Sequence, residues 1–249
     1  VSIRDCASRA GLLLAPTGQH FCRGGVPVLL ERGRDSVTFR DLKDDRLPSE
    51  IETVAWLCLA VKSKGAISFV PTIMTRAQAQ LILKARAFRD ALPEIRTLAK
   101  APVLVRHADG SLFVVRAYDA ETGIMVTGGA VDEVSVPEAI PLLKEVLADF
   151  RFTTPGDRSR ALAMLLTPSL FQGALLHGRA PMDLVEADLS QSGKGFLVKI
   201  RAAIYRDVPA TITRPRRGVG SLGESFAAVL LAGSGFPSFD NIRGRFDES

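Results

Sequence analysis

Apolar residues recur at three- and four-residue spacing in several separate stretches, and these mark the helices. Between residues 75 and 88, Ala77, Leu81, Ala85 and Phe88 follow this spacing, so a helix is predicted there, capped by Thr75 and stopped by Pro93. From Pro137 the spacing returns in Ala139, Leu142, Leu143, Val146, Leu147 and Phe150, which predicts a second helix with one apolar face, broken at Pro155-Gly156. A third is expected from Asp157 to Leu176, interrupted at Thr167-Pro168. Elsewhere the pattern is strand-like. Residues 1 to about 50 read as short strands and turns, with 26–30 and 37–39 forming a small hairpin. An apolar segment, 51–61, follows Pro48-Ser49. Asp109-Gly110, flanked by 102–105 and 112–115, is the strongest short hairpin signal in the chain, and a second turn at 119–123 leads to a strand at 124–126.

Past residue 180 the order is strand, loop, helix. Residues 182–187 read as a strand and 188–195 as a loop, after which Phe196, Leu197, Ile200 and Ile204 repeat at helical spacing. Ser221-Leu222-Gly223-Glu224 has the spacing of a capping box and opens a helix through Phe226, Val229, Leu230 and Leu231, closed by Gly233. Residues 236–241 then form a short apolar strand ending in Asp240-Asn241, with Pro237 indicating an edge or a distorted start. The predicted architecture is a small α+β domain with hairpins over 1–135, then a helical lead-in and part of an α/β P-loop domain over 136–249.

Composition narrows the setting. The 249 residues are 47% hydrophobic and 24% charged, which excludes wholesale disorder and suits two domains of ordinary size. Cys6, Cys22 and Cys58 are odd in number and far apart, without C-x-x-C spacing, which points away from a disulfide framework and from a zinc site. No apolar run approaches the roughly 20 residues that span a bilayer, and the N-terminus lacks the layout of a secretion signal. A reducing cytoplasm and no membrane partner are expected. Net charge is +5, which permits contact with a polyanion without requiring it. Because the chain starts at Val1 and stops in a polar run, it is expected to be a portion of something longer.

The loop carries the candidate chemistry. Ser192-Gly193-Lys194-Gly195 preserves the centre of G-x-x-x-x-G-K-[ST], in which backbone N–H groups wrap phosphates and the Lys reaches the outer ones. Gly193 supplies backbone freedom, and Lys194 places a cation at a helix start, where the dipole favours anions. Asp188 stands where the first Gly belongs, and Gly195 replaces the hydroxyl that would hold Mg²⁺; Ser190 or Ser192 offers an oxygen from elsewhere in the loop. Asp240, at a strand end, is a candidate Mg²⁺ ligand, although an Asx turn closing a strand has the same sequence. Arg214, Arg216 and Arg217 form the densest cationic cluster and are candidate phosphate contacts on nucleic acid, or a solvated basic loop. His20, His107 and His177 are isolated in sequence and read as structural.

Taken together, Asp149-Phe150-x-Phe152, Asp157-Arg158-Ser159, Leu165-Leu166-Thr167, Ala180-Pro181, Ser192-Gly193-Lys194-Gly195, Leu230-Leu231-Ala232-Gly233 and Phe239-Asp240-Asn241 resemble the ATPase region of primase-helicase proteins from phages, plasmids and integrated mobile elements. Ala101-Pro102-Val103-Leu104, Asp109-Gly110-Ser111 and Tyr118-Asp119-x-x-Thr122-Gly123 are similar to the segment preceding it. The resemblance covers roughly 90–245. It implies an AAA+ or superfamily 3 ATPase core that assembles as a ring and moves along DNA. It further implies that Lys194 binds the outer phosphates of ATP, and that Asp240 holds Mg²⁺ with Asn241 beside it in the catalytic site. The chain ends just past Asp240, before any match to a polar sensor or arginine finger, so turnover by this chain alone is not expected. Two readings stay open: the nucleotide-binding region of a DNA replication ATPase, and a non-catalytic module in which the loop is structural and the basic surface binds nucleic acid or protein.

Overall fold

A capping box in the first residues starts the fold. Ser2 Oγ accepts from the Asp5 N–H at 3.2 Å and the Asp5 carboxylate accepts from the Ser2 N–H at 3.3 Å, which opens α1 (Ile3–Leu14). The computed structural model describes residues 2–33, 37–63, 66–129, 131–187, 192–213, 221–231 and 234–240. After α1 come β1 (His20–Arg23), β2 (Val26–Arg32), β3 (Val37–Asp41), α2 (Leu47–Glu52), β4 (Cys58–Ser63), β5 (Ala66–Pro71), α3 (Arg76–Lys84), α4 (Arg86–Ala91), β6 (Glu94–Ile95) and β7 (Thr97–Ala99). The remaining elements are β8 (Val103–Arg106), β9 (Leu112–Val115), β10 (Tyr118–Asp119), β11 (Ile124–Val126), α5 (Val136–Val146), α6 (Pro155–Gln172), α7 (Lys194–Ile204), β12 (Ala210–Thr213), α8 (Leu222–Leu231) and β13 (Pro237–Asp240). The fold is mixed α and β. It divides into two units: Val1–Leu98 with Ala117–Thr127, and Ala99–Arg116 with Gly128–Ser249.

In the first unit a sheet of order β3-β2-β1-β6 is antiparallel except at β1–β6. One side of α1 carries small residues. Ala7, Ala10 and Leu14 pack with Leu47 and Ile51 of α2, Ala79 and Ile82 of α3 and Phe88 of α4, forming one core. A second core joins Phe21, Val28, Leu30, Ile95 and Met125, with Tyr118 edge-on to Phe21 at 5.0 Å. Asp44 accepts from Arg76 Nε at 2.9 Å and from Gln80, and these donors hold its carboxyl down at about 2. The start of the chain is therefore helical where strands and turns were expected. Its buried face is built from Ala rather than bulky apolar residues, so the hydrophobic period is faint in the sequence. The predicted helix at 75–88 is also two helices, because Ala85 is extended (φ −70°, ψ 127°) between α3 and α4.

His20, 1% exposed, is the polar residue buried in this unit. Thr17 Oγ1 lies 2.9 Å from His20 Nδ1 and 2.7 Å from the Leu14 carbonyl, and its single proton serves one of them. Nε2 faces Glu50 Oε2 at 3.2 Å, off the line of a good hydrogen bond. Glu50 also meets Arg46, which bridges onward to Glu31. Burial pushes the imidazole below its ordinary 6.5, with the Glu50 carboxylate opposing.

In the second unit, Asp109-Gly110 closes the β8–β9 hairpin as predicted, pairing Val103 with Val115 and Arg106 with Leu112. The predicted face of α5 is largely in solvent: Leu142 is 52% exposed, and Leu147, just past its end, is the buried anchor. The 18-residue helix α6 runs straight through Pro168, where an interruption was expected. Proline removes an N–H and crowds the carbonyl four residues back. Here the next rung of the ladder is bridged by Tyr205, just past the end of α7: the Ser169 N–H donates to Tyr205 Oη at 3.1 Å, and Tyr205 Oη donates to the Leu165 carbonyl at 2.8 Å. At its end α6 meets β8 at Gly173, where a Cβ would lie 1.8 Å from the Leu104 carbonyl, so only glycine fits. β12 and β13 pair in parallel, Ala210 with Pro237 through Thr213 with Asp240, and α8 is the crossover.

Tyr205→Phe is expected to leave a buried donor and acceptor without their partner and to destabilise the second unit by about 1–3 kcal/mol. Urea titration checks this through a lower midpoint at unchanged slope. For His20 the unfolded chain takes up a proton near pH 6.5 while the native site resists it, so the contribution is complete above pH 6.5 and declines as pH falls below. The stability difference between wild type and His20→Gln is expected to shrink between pH 7.5 and 5.5 in urea titrations.

Candidate functional site

Of the six helices with nine or more residues among those described, five open on a capping box. The exception is α7. Its N-cap is Gly193, with left-handed backbone (φ 87°, ψ 3°), so no side chain caps the N–H groups of Lys194 and Gly195, while the Phe196 N–H donates to the Gly193 carbonyl at 2.9 Å. A Cβ at Gly193 would also lie 3.3 Å from the Phe150 ring. Phe196 stacks near that ring, with centroids 6.4 Å apart and planes at 20°, and Phe152 flanks it at 6.1 Å. Lys194 is the first helical residue and half-buried; its Nζ lies 3.5 Å from the Ala187 carbonyl, too long for a strong bond. An anion reaching this helix start therefore gains a cation with little to give up.

Residues 181–187 are not a strand, contrary to the expectation. A strand needs a neighbour to take its backbone groups, and none of the described strands pairs with this segment. Met182 and Leu184 are 70% and 78% exposed, while Val185 packs with Leu147, Leu165 and Leu197. The segment is instead fixed by charge: Arg201 of α7 meets Asp183 at 2.8 Å and lies 5.7 Å from the Phe236 ring centroid. Tyr205 lies against the same ring at 5.4 Å. Phe236 thus links α7 to the start of β13. Asp183, Arg201, Tyr205, Phe150 and Phe236 hold the helix start in place, and no local sequence pattern marks them, because the partners lie far apart in the chain.

Asp240 is the last residue of β13, exposed, opposite Thr213 of the parallel partner. The carboxyl ends of parallel strands are where α/β units hold ligands. Phe226 of α8 packs on Phe239 at 5.5 Å and covers one side of the pair. Ser192 and Gly195 are exposed, and Gly195 brings no oxygen beyond its backbone. Asp188, Ser190, Arg214, Arg216, Arg217 and Asn241 lie outside the described residues. Of the three histidines, His20 is buried in the first unit and His107 stacks on Phe113 at 5.3 Å. Among the described residues no three His, Cys, Asp or Glu side chains gather, so a divalent ion here would rest on Asp240 and on oxygens of its own ligand or water.

Comparison with protein-family models, with curated proteins and with solved structures finds no match for this chain.

The two glycines of the loop are expected to behave oppositely. Gly193→Ala forces a side chain into left-handed backbone and against Phe150, lowering stability by about 1–2 kcal/mol. Gly195→Ala, with nothing within 4 Å of the new Cβ, is expected to be neutral or stabilising by about 0.5 kcal/mol. Thermal unfolding of the two variants side by side checks both.

Proposed function

We propose that this chain carries the nucleotide-binding region of a DNA replication ATPase of the primase-helicase kind found in phages, plasmids and mobile elements, with little or no turnover by this chain alone. The observation that carries the reading is the start of α7. A helix without a capping side chain begins on Gly193 with Lys194 in its first turn, and α7 packs through Phe236 onto the lead of a parallel strand that ends in Asp240. The first-turn N–H groups and the Lys194 ammonium suit the outer phosphates of ATP. Asp240 would be the carboxylate that holds Mg²⁺, with Asn241 next in sequence, and the ion would supply neutralisation of phosphate charge. Gly195 has no hydroxyl for the ion. That absence supports binding that outlasts chemistry.

The same reading assigns DNA and a ring of subunits as partners of the full-length protein. It also assigns a reducing cytoplasm, in keeping with three free cysteines. No described helix is long and apolar enough to cross a membrane. A second reading has its own observation in its favour. Residues 181–187 form no strand, and Lys194 Nζ leans on the Ala187 carbonyl, as expected of a purely structural loop. The chain would then be a non-catalytic module that binds nucleic acid or protein through Arg214, Arg216 and Arg217.

Thermal denaturation with ATP and Mg²⁺ tests the first reading. At saturation the melting temperature is expected to rise on the order of 5 °C, and Lys194→Ala to abolish the rise. A wild-type chain that shows no shift rules out nucleotide binding. DNA binding that survives Lys194→Ala, is lost when the three arginines become Ala, and falls steeply with salt supports the second reading instead.

A further inference from the structure

The hairpin β4–β5 is apolar on both sides and exposed along its described length. Its register pairs Cys58 with Pro71, Ala60 with Phe69 and Lys62 with Ile67 on one face, and Leu59 with Val70 and Val61 with Ser68 on the other. The Thr72 N–H donates to the Leu57 carbonyl at 2.9 Å, continuing the ladder, so Trp56 and Ile73 extend the first face. On that face Trp56 is 90% exposed, Ile73 76%, Phe69 70% and Ile67 65%. Every described residue of β4 and β5 with an assigned exposure is open to solvent. An isolated two-stranded hairpin is marginal in water, and four large apolar side chains in a row on one face call for a cover.

We infer that this face is covered by a second copy of the chain, stacked face to face and antiparallel about a two-fold axis. Charge favours this occupant and this orientation. From residue 53 to 75 the sequence carries two charges, Lys62 and Lys64, and no acid to pair with a basic partner. Stacking turn to turn would bring like charges together. Antiparallel stacking instead sets the turn end of each hairpin over the open end of the other, so Lys62 lies above the second copy's Trp56, a cation over the best of the aromatic rings. The axis passes between the Cys58–Pro71 and Ala60–Phe69 pairs, the middle of the four rows, so each strand lies over the same strand of the second copy and Phe69 meets its Pro71. The area is sufficient for a weak dimer. Aromatic side chains bury about 150–250 Å² each, so Trp56, Phe69 and the two isoleucines offer on the order of 500 Å² per copy. Doubled, that reaches the roughly 1,000 Å² a specific interface needs.

Sedimentation of the full 249-residue chain from 1 to 100 µM tests the inference, with circular dichroism confirming that each variant folds. A monomer–dimer equilibrium is expected, weakened at least about thirtyfold by Phe69→Glu and likewise by Trp56→Ser, the residue with least to lose in the monomer. Leu59→Glu, on the opposite face, is expected to leave it within a few-fold. Lys62→Glu places a carboxylate over the second copy's indole and is expected to weaken the dimer. A monomer at 100 µM overturns the inference, as does a dimer that Phe69→Glu and Trp56→Ser leave intact. Flotation of monomeric chain with phosphatidylcholine–phosphatidylglycerol vesicles, lost in Phe69→Glu, would assign the face to a lipid surface and overturn it too.

Discussion

The Tyr205 hydroxyl stands in for a backbone hydrogen bond inside α6, and the second unit is organised around that substitution. Pro168 lacks an N–H and pushes its ring at the preceding turn, so an undisturbed helix is not available. Tyr205 accepts from the Ser169 N–H and donates to the Leu165 carbonyl, completing the ladder from outside. Because both helix groups are inside the fold, neither has water to fall back on. Tyr205 is consequently locked, and with it the rotation of α7 about its own axis. Gly193, Leu197, Arg201 and Tyr205 are spaced by four and lie along one side of that helix. One end meets α6, the middle meets Asp183 and the cluster around Leu147, and the other end rests against Phe150. The direction in which the α7 start faces is set by a tyrosine three turns away.

That start is chemically simple. Asp183 and Arg201 pair at 2.8 Å, and the first turn of α7 carries the Lys194 ammonium at the positive end of the helix dipole. Both favour an anion. The aromatic group of Phe150, Phe152 and Phe196 stiffens the approach, since rings packed at 6.1 and 6.4 Å leave little freedom to the residues that carry them. Binding a phosphate and cleaving it make different physical demands. Holding a phosphate needs only fixed donors, whereas cleaving it needs a metal ion seated by more than one protein oxygen and a positioned attacking water. The described residues supply donors more completely than metal ligands.

In the first unit the constraint is steric rather than polar. Ala7, Ala10 and Gly11 let α1 lie close to α4, to the point that a Cβ on Gly11 would stand 2.7 Å from that of Ala91. The same smallness hides the helix from a hydrophobic pattern, although the Ser2–Asp5 box announces it. His20 then sits among apolar neighbours with its polar atoms shared between Thr17 and Glu50, so its burial depends on both contacts.

The features legible in the amino-acid order are local. Asp109-Gly110 closes a hairpin, Ser221 and Glu224 cap α8, Thr75 caps α3, and Gly193-Lys194 begins a helix, because each outcome depends on residues within a few positions of one another. The mixed α and β character follows from the same signals. Tertiary structure decided the rest. Pro168 sits inside a helix whose next rung, Ser169 to Leu165, is bridged by a hydroxyl from residue 205, and 182–187 lacks a strand because alternation cannot supply the neighbour that a strand must pair with. The β12–β13 pair is parallel because α8 carries the chain back across it. The helix start could be read from Gly193 and Lys194, but the residues that support it, Phe150, Asp183, Arg201, Tyr205 and Phe236, come from separate parts of the chain and meet only when it folds.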